Sequence, residues 1–433
     1  MVAYRAGAPL RAGSFLADVM RVAAALPAGR HVLNACADRY RFTVAFAASL
    51  VADKVSLLPS THTPEVIRQL TQFAPDVFCL TDDVRCQIDL PRVQFPEAVS
   101  GAAARWRPVE IAADRLAAYV FTSGSTGTPL PYRKTWGRLV NCVRIEAQRL
   151  GLLDGRAHTL VGTVPPQHMY GFESTVLLAL QSGNAFSAGR PFYPADIAGE
   201  LASVPAPRSL VSTPVHLRTL LGSDVGLPPV DLVLSATAPL SQNLAREAED
   251  RYATRLLEIY GSTETGQIAS RRTAVAVEWQ LFDGVRLFSH GESTFAEGGH
   301  VEQRTPMCDV LEITAPDRFL LHGRLSDLVN IAGKRSSLSY LNHQLNAIPG
   351  VADGAFFVRE PDEGSSTGVT RVAAVVVAPG LSAAHVNEAL RQRIDSVFMP
   401  RPLLFVDCLP RNDTGKLPHD SLRALAATAM KRT

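Results

Sequence analysis

The sequence predicts an α/β protein with a large N-terminal domain, which includes a small β-rich subdomain, and a small α+β C-terminal domain. Short apolar, β-branched segments alternate with helix-like segments up to Arg271, a pattern typical of a mostly parallel sheet covered by helices. Short strand-like segments follow, and a second α/β pattern starts near Ser326. A chain of 433 residues is long enough for two or three domains.

The first domain begins with alternating strands and helices. Five apolar segments have the composition of buried strands: "RHVLNAC" at 30–36, "KVSLLP" at 54–59, "DVFCL" at 76–80, "AAYVFT" at 117–122 and "LVLSA" at 232–236. The segments "FTVAFAASLVAD" and "TPEVIRQLTQFA" carry apolar residues at helical spacing. Pro64 favours a helix start in the second of them.

The later segments predict the subdomain and the C-terminal domain. The subdomain is predicted from "EWQLFDGVRLFS", "DVLEIT" and "RFLLHG". The C-terminal pattern comprises "YLNHQLNAI", "DGAFFVRE", "RVAAVVVAP", "HVNEALRQRI" and "PLLFVDCLP". We therefore predict domains at residues 1–324 and 327–433, with the boundary near 325–327.

The composition argues against several classes of partner. The 43 Lys and Arg residues balance 41 Asp and Glu without long blocks of one sign, so we expect no nucleic-acid partner. The six cysteines lie far apart without a CxxC pair, which indicates neither a disulfide framework nor a zinc site. The N-terminus lacks the apolar core of a signal peptide, and no run of about 18 apolar residues occurs. We expect no membrane partner and a cytoplasmic location.

The segment "YVFTSGSTGTPL" at 119–130 raises the first functional question. A loop of small residues that leaves a strand exposes backbone N–H groups, and its hydroxyl groups add donors for phosphate oxygens. No Gly-Lys-Ser/Thr follows the glycines, so this is not a Walker A loop. From these residues alone, a phosphate-binding loop and an ordinary surface loop both remain open.

Three further segments carry polar residues in turns. In "EIYGSTETG" at 258–266, Glu264 is either a Mg²⁺ ligand or part of a Thr-x-Glu capping sequence at a helix start. The segments "LHGRLSDLVNIAGKR" at 321–335 and "LPRNDTGKLPHDSL" at 409–422 follow, and Lys416 lies in the second. By itself, Lys416 is as compatible with a solvated surface lysine as with a catalytic cation.

In this order, the segments resemble the adenylate-forming superfamily, which comprises acyl- and aryl-CoA synthetases, adenylation domains of nonribosomal peptide synthetases, and luciferases. The matching segments are "TSGSTGTPLP", "YGSTE", the aspartate of "TPMCD", "GRLSDLVNIAGKR" and the Gly-Lys pair at 415–416. The segments "SATAPL" at 235–240 and "VPPQHMYGFE" at 164–173 also match. The resemblance covers nearly the whole chain and implies an ATP- and Mg²⁺-dependent ligase with a mobile C-terminal lid.

The resemblance also implies roles for individual residues. The β- and γ-phosphates would be held by Thr122, Ser123, Gly124, Ser125, Thr126 and Gly127. The adenine and ribose would be bound by Ala236, Thr237, Ala238, Pro239, Tyr260, Gly261, Ser262, Asp309 and Arg324. Thr263 would bond the α-phosphate, Glu264 would bind Mg²⁺, and Lys416 would bridge the acid and the α-phosphate.

The acid would then pass to a pantetheine thiol, either of CoA or of an acyl carrier protein. Ser326 would be the hinge, and Gly333 would line the thiol tunnel. The acid pocket would include His168, Met169, Tyr170, Gly171, Phe172 and Gly266. A direct role of His168 competes with a purely structural one.

The chain departs from the family pattern at Leu130, where a lysine is usual. Either the charge comes from elsewhere, with Arg133 or Lys134 as candidates, or the loop holds pyrophosphate more weakly. The pocket segment starts without an aspartate that could pair an amino group, which favours an unaminated acid. The compact chain resembles the ligases of aryl-polyene and xanthomonadin pigment pathways, which implies a 4-hydroxybenzoate-like acid. The alternatives are a fatty-acid-activating ligase and a degenerate nucleotide-binding protein.

Overall fold

The computed structural model describes residues 1–59, 61–97, 109–122, 130–291, 293–324, 327–331, 334–359, 371–412 and 415–430. Two sheets dominate this part of the chain. The strands of the larger sheet are β1 (Ala3–Arg5), β2 (Ala8–Leu10), β9 (Thr159–Gly162), β10 (Ala185–Ser187), β11 (Arg208–Ser212), β12 (Leu232–Ser235), β13 (Arg255–Ser262), β14 (Gly266–Arg271), β15 (Trp279–Leu281), β19 (Asp309–Ala315) and β20 (Arg318–Arg324). Their order is β19-β20-β15-β14-β13-β12-β11-β9-β10-β1-β2. The strands from β13 through β1 pair in parallel, and those on both flanks pair antiparallel.

The second sheet is formed by the N-terminal half of the chain. Its strands are β3 (His31–Asn34), β4 (Val55–Leu58), β5 (Phe78–Thr81), β6 (Arg92–Gln94), β7 (Leu116–Thr122) and β8 (Leu130–Thr135). Their order is β6-β5-β3-β4-β7-β8, and only the β7–β8 pair is antiparallel among these described strands. All five strands predicted from the apolar segments are therefore confirmed, within a mixed α/β fold of the predicted class.

Helices cover the two sheets. They are α1 (Ala12–Ala25), α2 (Arg39–Val51), α3 (Pro64–Phe73), α4 (Trp136–Leu150), α5 (Met169–Gly171), α6 (Leu178–Ser182), α7 (Pro194–Ser203), α8 (Pro214–Leu221) and α9 (Gln242–Tyr252), with a π-helical segment at Phe172–Leu177. Helix α3 begins at Pro64, as predicted, and the Thr63 hydroxyl accepts a bond from Val66 N–H. Such caps stabilise a helix end whose N–H groups have no partner inside the helix.

The main core lies between the two sheets. Helix α2 is almost entirely buried there, and its Phe42 and Phe46 contact Phe172 edge to face. Separate apolar clusters lie under α3 and under α7, α8 and α9. The order of layers is helix, sheet, helix, sheet and helix. Parallel strands that are covered on both faces need apolar side chains on both faces, which explains the continuous apolar runs in the sequence.

The segments after Arg271 form strands, as predicted, but they are divided between two sheets. Strands β16 (Val285–His290), β17 (Ser293–Gly298) and β18 (Thr305–Pro306) form the small separate sheet. Strands β15, β19 and β20 extend the larger sheet instead, with Trp279 opposite Phe319. Pairing between strands that are distant in the sequence depends on cross-strand packing, which the local sequence pattern does not specify.

The C-terminal unit comprises the elements from α10 to α12. These are α10 (Leu338–Asn346), β23 (Asp353–Arg359), β24 (Arg371–Val377), α11 (Ala383–Arg391), β25 (Leu403–Phe405) and α12 (His419–Met430). A hairpin of β21 (Leu328–Ile331) and β22 (Lys334–Ser337) precedes it. On β24, alternate residues face two apolar clusters, one under α10 and α11 and the other under α12. The predicted α+β arrangement follows, and the boundary at 325–327 stays a prediction.

No helix among the described residues is both long enough and apolar enough to cross a membrane.

Candidate active site

The ends of three strands of the larger sheet, β13, β19 and β20, carry predicted nucleotide residues that lie close together. Tyr260 lies near the end of β13, and Asp309 is the first residue of β19. The Tyr260 hydroxyl donates a hydrogen bond of 2.6 Å to Asp309 Oδ2. The Tyr260 ring packs against both Trp279 and Phe319, whose centroids each lie 5.5 Å away. Arg324 is the backbone partner of Asp309 across the β19–β20 pair, which agrees with the predicted neighbourhood.

The predicted adenine segment follows β12 directly, as Ala236 to Pro239. Thr237 has a φ of +78°, a left-handed conformation that is rare for a β-branched residue and costs free energy. Glycines are usual at the positions of Ala236 and Thr237 in the family that the sequence resembles, and the positive φ gives a physical reason at Thr237. Backbone strain of this kind is concentrated at active sites and ligand-binding segments.

The buried carboxylate of Glu258 supports this segment, a role that the sequence did not reveal. Its Oε1 accepts from Leu240 N–H at 3.2 Å, immediately after the adenine segment. Its Oε2 accepts from Arg271 Nε at 2.8 Å and from the Thr273 hydroxyl at 2.7 Å. Because all three donors converge on one side chain, Glu258 ties β13, β14 and the segment after β12 together.

The residues Thr263 to Thr265 form a tight turn between β13 and β14. The Ser262 and Thr265 hydroxyl oxygens lie 3.1 Å apart, and each also accepts a backbone N–H of the other residue. A Cβ on Gly261 would lie 2.3 Å from Gly266 O, so the turn requires glycine there. The helix-capping interpretation of Glu264 is wrong, because the turn connects two strands.

Glu264 lies beside β8, the strand that follows the predicted phosphate loop. Burial and the neighbouring Glu264 carboxylate raise the pKa of Tyr132 on β8. The Thr122 side chain also bonds Tyr132 and acts in the opposite direction. Thr122, Tyr132 and Glu264 therefore form one oxygen-rich cluster, although only Thr122 and Glu264 were expected in the site.

Lys134 supports the turn that carries Glu264 through a hydrogen bond. Its side chain is buried, and Nζ donates to the Glu264 carbonyl at 3.3 Å. Burial lowers the pKa of Lys134, and the negative charges of Glu173, Glu302 and Glu264 act against that shift. Arg133, the other residue considered as a replacement for the lysine missing at Leu130, is exposed.

A polar cluster lies beneath the predicted acid pocket and contains Glu173 and Glu146, both buried. Cys142 Sγ donates to Glu173 Oε1 at 3.5 Å, and the Ser174 hydroxyl donates to Glu146 Oε1 at 2.8 Å. Burial raises the pKa of Glu146 to about 8 and that of Glu173 to about 7. The Lys134 charge lowers the pKa of Glu173 and so limits its rise.

This cluster adjoins two residues predicted to line the pocket. A Cβ on Gly266, whose φ is +74°, would lie 3.1 Å from Glu173 Oε1. Burial and the charge of Glu146 raise the pKa of the Tyr170 phenol. Met169 and Phe172 are buried, and Phe172 belongs to the core described above. Their contact with a bound acid stays a prediction.

The segment that carries His168 is fixed by a buried arginine. Arg39 Nη2 donates to the carbonyls of Gly162 and Val164 at 2.9 and 2.8 Å, and Nη1 donates to those of Ser187 and Gly189. These carbonyls lie at the ends of β9 and β10. Downstream, a Cβ on Gly171 would lie 2.1 Å from Pro165 O, so the turn that carries His168 requires glycine.

Lys416 reaches the same pocket from the C-terminal unit. Burial and, to a smaller extent, the Lys416 ammonium lower the pKa of His168 to about 4. Asn412 holds the Lys416 turn, because its Oδ1 accepts from Lys416 N–H and its N–H donates to Lys416 O, both at 2.9 Å. Residues separated by nearly 250 positions are therefore near enough to interact electrostatically, and His168 is neutral at pH 7.

Some predicted site residues lie outside the described part of the chain. These are Ser123, Gly124, Ser125, Thr126, Gly127, Ser326 and Gly333. Their proposed roles in phosphate binding, hinge motion and the thiol tunnel stay predictions. Among the described residues, no group of three or more His, Cys, Asp and Glu side chains has the geometry of a metal site.

The sequence pattern of AMP-binding enzymes matches residues 13–284. A 4-coumarate–CoA ligase of Rhodobacter capsulatus is 30% identical over 68% of this chain and 73% of its own length. A 3-hydroxybenzoate/4-hydroxybenzoate–CoA ligase of Thauera aromatica is 23% identical over 76% of this chain and 70% of its own. ATP-bound MatB from Rhodopseudomonas palustris has the same fold, with a TM-score of 0.82, 21% identity and coverage of 98% and 95% of the two chains.

The chain belongs to the AMP-binding enzyme family. It is an AMP-forming acid–thiol ligase, which uses ATP and Mg²⁺ to activate a carboxylic acid for transfer to a thiol. The predictions of family, fold class and enzyme class are confirmed.

Proposed function

We propose that this ligase activates an aromatic, hydroxybenzoate-like acid and transfers it to the pantetheine thiol of CoA or of an acyl carrier protein. The observation that supports this proposal most directly is that the Lys416 charge acts on His168, a residue of the predicted acid pocket. An attacking carboxylate and an α-phosphate are both anions, and a cation placed between them stabilises the charge that builds up during attack.

The described residues fit a nucleotide with Mg²⁺. We propose that Asp309 binds the ribose hydroxyls, that the Ala236–Pro239 segment and Tyr260 border the adenine, and that Thr263 contacts the α-phosphate. Glu264 would ligate Mg²⁺, since the cluster with Thr122 and Tyr132 offers the oxygen ligands that this ion prefers. Mg²⁺ would supply Lewis-acid stabilisation of the phosphate oxygens.

In adenylation, the half-reaction in which the acid attacks the α-phosphate, the protein would contribute by positioning the substrates and by placing charge beside them. His168 is neutral at pH 7, so it would border the acid without competing with Lys416 for the carboxylate. Glu258 and Arg39 hold the segments that would contact the two substrates. Placing reactants in line can supply a large share of the rate acceleration, roughly 7–11 kcal/mol in favourable cases. Ser326 would then serve as the hinge and Gly333 would line the thiol tunnel.

Two observations support an aromatic acid over a fatty acid. The two relatives described above act, by their names, on coumarate and on hydroxybenzoate. The predicted pocket is bordered by the buried polar cluster around Glu173, whereas an alkyl chain would need an apolar tunnel. A fatty-acid ligase is the alternative, and a role in pigment synthesis stays a prediction from resemblance.

The test is acid-dependent release of pyrophosphate from ATP and Mg²⁺, measured over a panel of aromatic and fatty acids. Each active acid is then offered CoA and a phosphopantetheinylated carrier protein, and the thioester is detected by mass spectrometry. We expect hydroxylated benzoates to give the highest kcat/KM. Preference for acyl chains of eight or more carbons would contradict the substrate assignment, and no release with any acid would contradict the proposed function.

A further inference from the structure

Helix α8 of the N-terminal part faces the C-terminal unit with two residues three positions apart, Val215 and Arg218. Residues at this spacing lie on the same face of a helix. A Cβ on Gly415 would lie 3.0 Å from Val215 Cγ2, so the turn before Lys416 packs closely on α8. The φ of Gly415 is +79°, which also favours glycine at this position.

One helical turn further along α8, Arg218 faces an aspartate of the C-terminal unit. Arg218 Nη1 lies 3.9 Å from Asp353 Oδ1, and the two side chains are 27% and 16% exposed. Asp353 is the first residue of β23. The site as described so far has no role for either residue.

Asp353 is also joined to the turn that carries Lys416. Arg411 binds Asp353 with both arms of its guanidinium, Nε to Oδ2 at 2.8 Å and Nη2 to Oδ1 at 2.9 Å. Its Nη1 donates to the Gly415 carbonyl at 3.0 Å. A continuous chain of polar contacts therefore runs from α8 to the residue before Lys416.

We propose that Arg218 is a positioning residue for adenylation: its charge attracts Asp353 and so holds the C-terminal unit in the orientation that places Lys416 beside His168. The proposal rests on the function proposed above. Arg411 neutralises Asp353 within the C-terminal unit, so that unit keeps its own ion pair when Arg218 is replaced. The Arg218 contact is long and partly solvated, which makes it weak enough to break when the unit must move for thiol transfer.

The test separates the two half-reactions in Arg218→Gln. Acid-dependent exchange of pyrophosphate into ATP measures adenylation. Conversion of synthetic 4-hydroxybenzoyl-adenylate, or the adenylate of the best acid in the panel, to its CoA thioester measures transfer. We expect exchange to fall about fivefold, the size of effect that a partly exposed ion pair supports, with transfer unchanged. Arg218→Glu repels Asp353 and should lose more exchange, whereas Arg218→Lys should retain most of it.

Arg144→Gln is the matched control, because Arg144 is an exposed arginine on α4. Equal exchange in Arg218→Gln and the wild type would overturn the proposal. An equal loss in both half-reactions would also overturn it, because that result indicates general damage to α8, and thermal unfolding of each variant checks for such damage. If the wild-type enzyme shows no exchange with any acid, the proposed function fails, which is a separate result.

Discussion

The nucleotide side of the candidate site and the polar cluster beneath the acid pocket are built in different ways. On the nucleotide side, Tyr260 and Asp309 lie at strand ends and remain partly exposed. Beneath the pocket, Lys134, Glu173 and Glu146 are buried and come from three elements, and burial shifts the pKa of each. Short turn motifs therefore define the nucleotide side, whereas the polar cluster depends on isolated charged side chains that packing brings together.

The largest effect should come from Lys416, which links the two regions. In Lys416→Ala, the cation between the acid and the α-phosphate is lost, and we expect adenylation to fall by about 10²–10³-fold. ATP binding should change little, because the contacts to adenine and ribose remain. Pyrophosphate exchange and isothermal titration with ATP measure the two effects.

The control for Lys416 is Lys334→Ala, which removes an exposed lysine paired with Asp395. It should adenylate at nearly the wild-type rate. A wild-type rate of pyrophosphate exchange in Lys416→Ala would show that the lysine has no catalytic role and does not link the two regions.

The second effect tests the buried cluster. In Lys134→Met, Glu173 loses its neighbouring cation and the Glu264 carbonyl loses a donor. We expect a loss of roughly 3 kcal/mol in the free energy of unfolding, since the Glu264 carbonyl is left without its buried donor and Glu173 without a compensating charge. Adenylation should also fall, about tenfold, because the turn that carries Glu264 is less firmly held.

Lys134→Met/Glu173→Gln is the matched double variant. It should recover part of the lost stability, because the buried carboxylate is removed together with its cation, and chemical denaturation gives the coupling free energy. Purely additive losses would show that the two charges do not interact and that the cluster is not one unit.

The fold and the nucleotide side could be predicted from sequence because local patterns encode them. Apolar runs predicted the strands, Pro64 predicted the start of α3, and the "YGSTE" turn predicted where Glu264 lies. Lys134 was considered only as a replacement for the lysine missing at Leu130, and nothing local marked Glu146 or Asp353. Each of the three is a single charged residue whose partner is distant in the chain. The division of β15–β20 between two sheets was missed for the same reason, because strand pairing is a tertiary choice.

The third effect is a pH dependence of stability. The pKa of Glu146 is about 8 in the folded protein and near 4.5 when exposed, so between these values the folded state holds a proton that the unfolded state has released. Stability therefore falls as pH rises from about 4.5 to about 8. Glu146→Gln removes this contribution, and its advantage over the wild type should grow by roughly 3 kcal/mol between pH 5 and pH 8.

Thermal unfolding of both proteins across this pH range measures the difference. Glu247→Gln replaces an exposed glutamate on α9 and should leave the pH profile of the wild type unchanged. Parallel profiles for the wild type and Glu146→Gln would mean that Glu146 titrates normally, and the buried cluster would then resemble the exposed side of the site.

The smallest effect concerns the backbone on the nucleotide side. Thr237 adopts a φ of +78°, whereas neighbouring Ala236 is not among the residues with positive φ. Thr237→Gly should relieve strain that offsets the entropic cost of glycine, so its stability should stay within about 1 kcal/mol of the wild type or rise. Ala236→Gly gains no such relief and should lose about 0.5–1 kcal/mol. Urea denaturation of the two variants compares them directly. An equal loss of stability in both variants would mean that Thr237 is unstrained. The positive φ would then not explain why glycine is usual at this position.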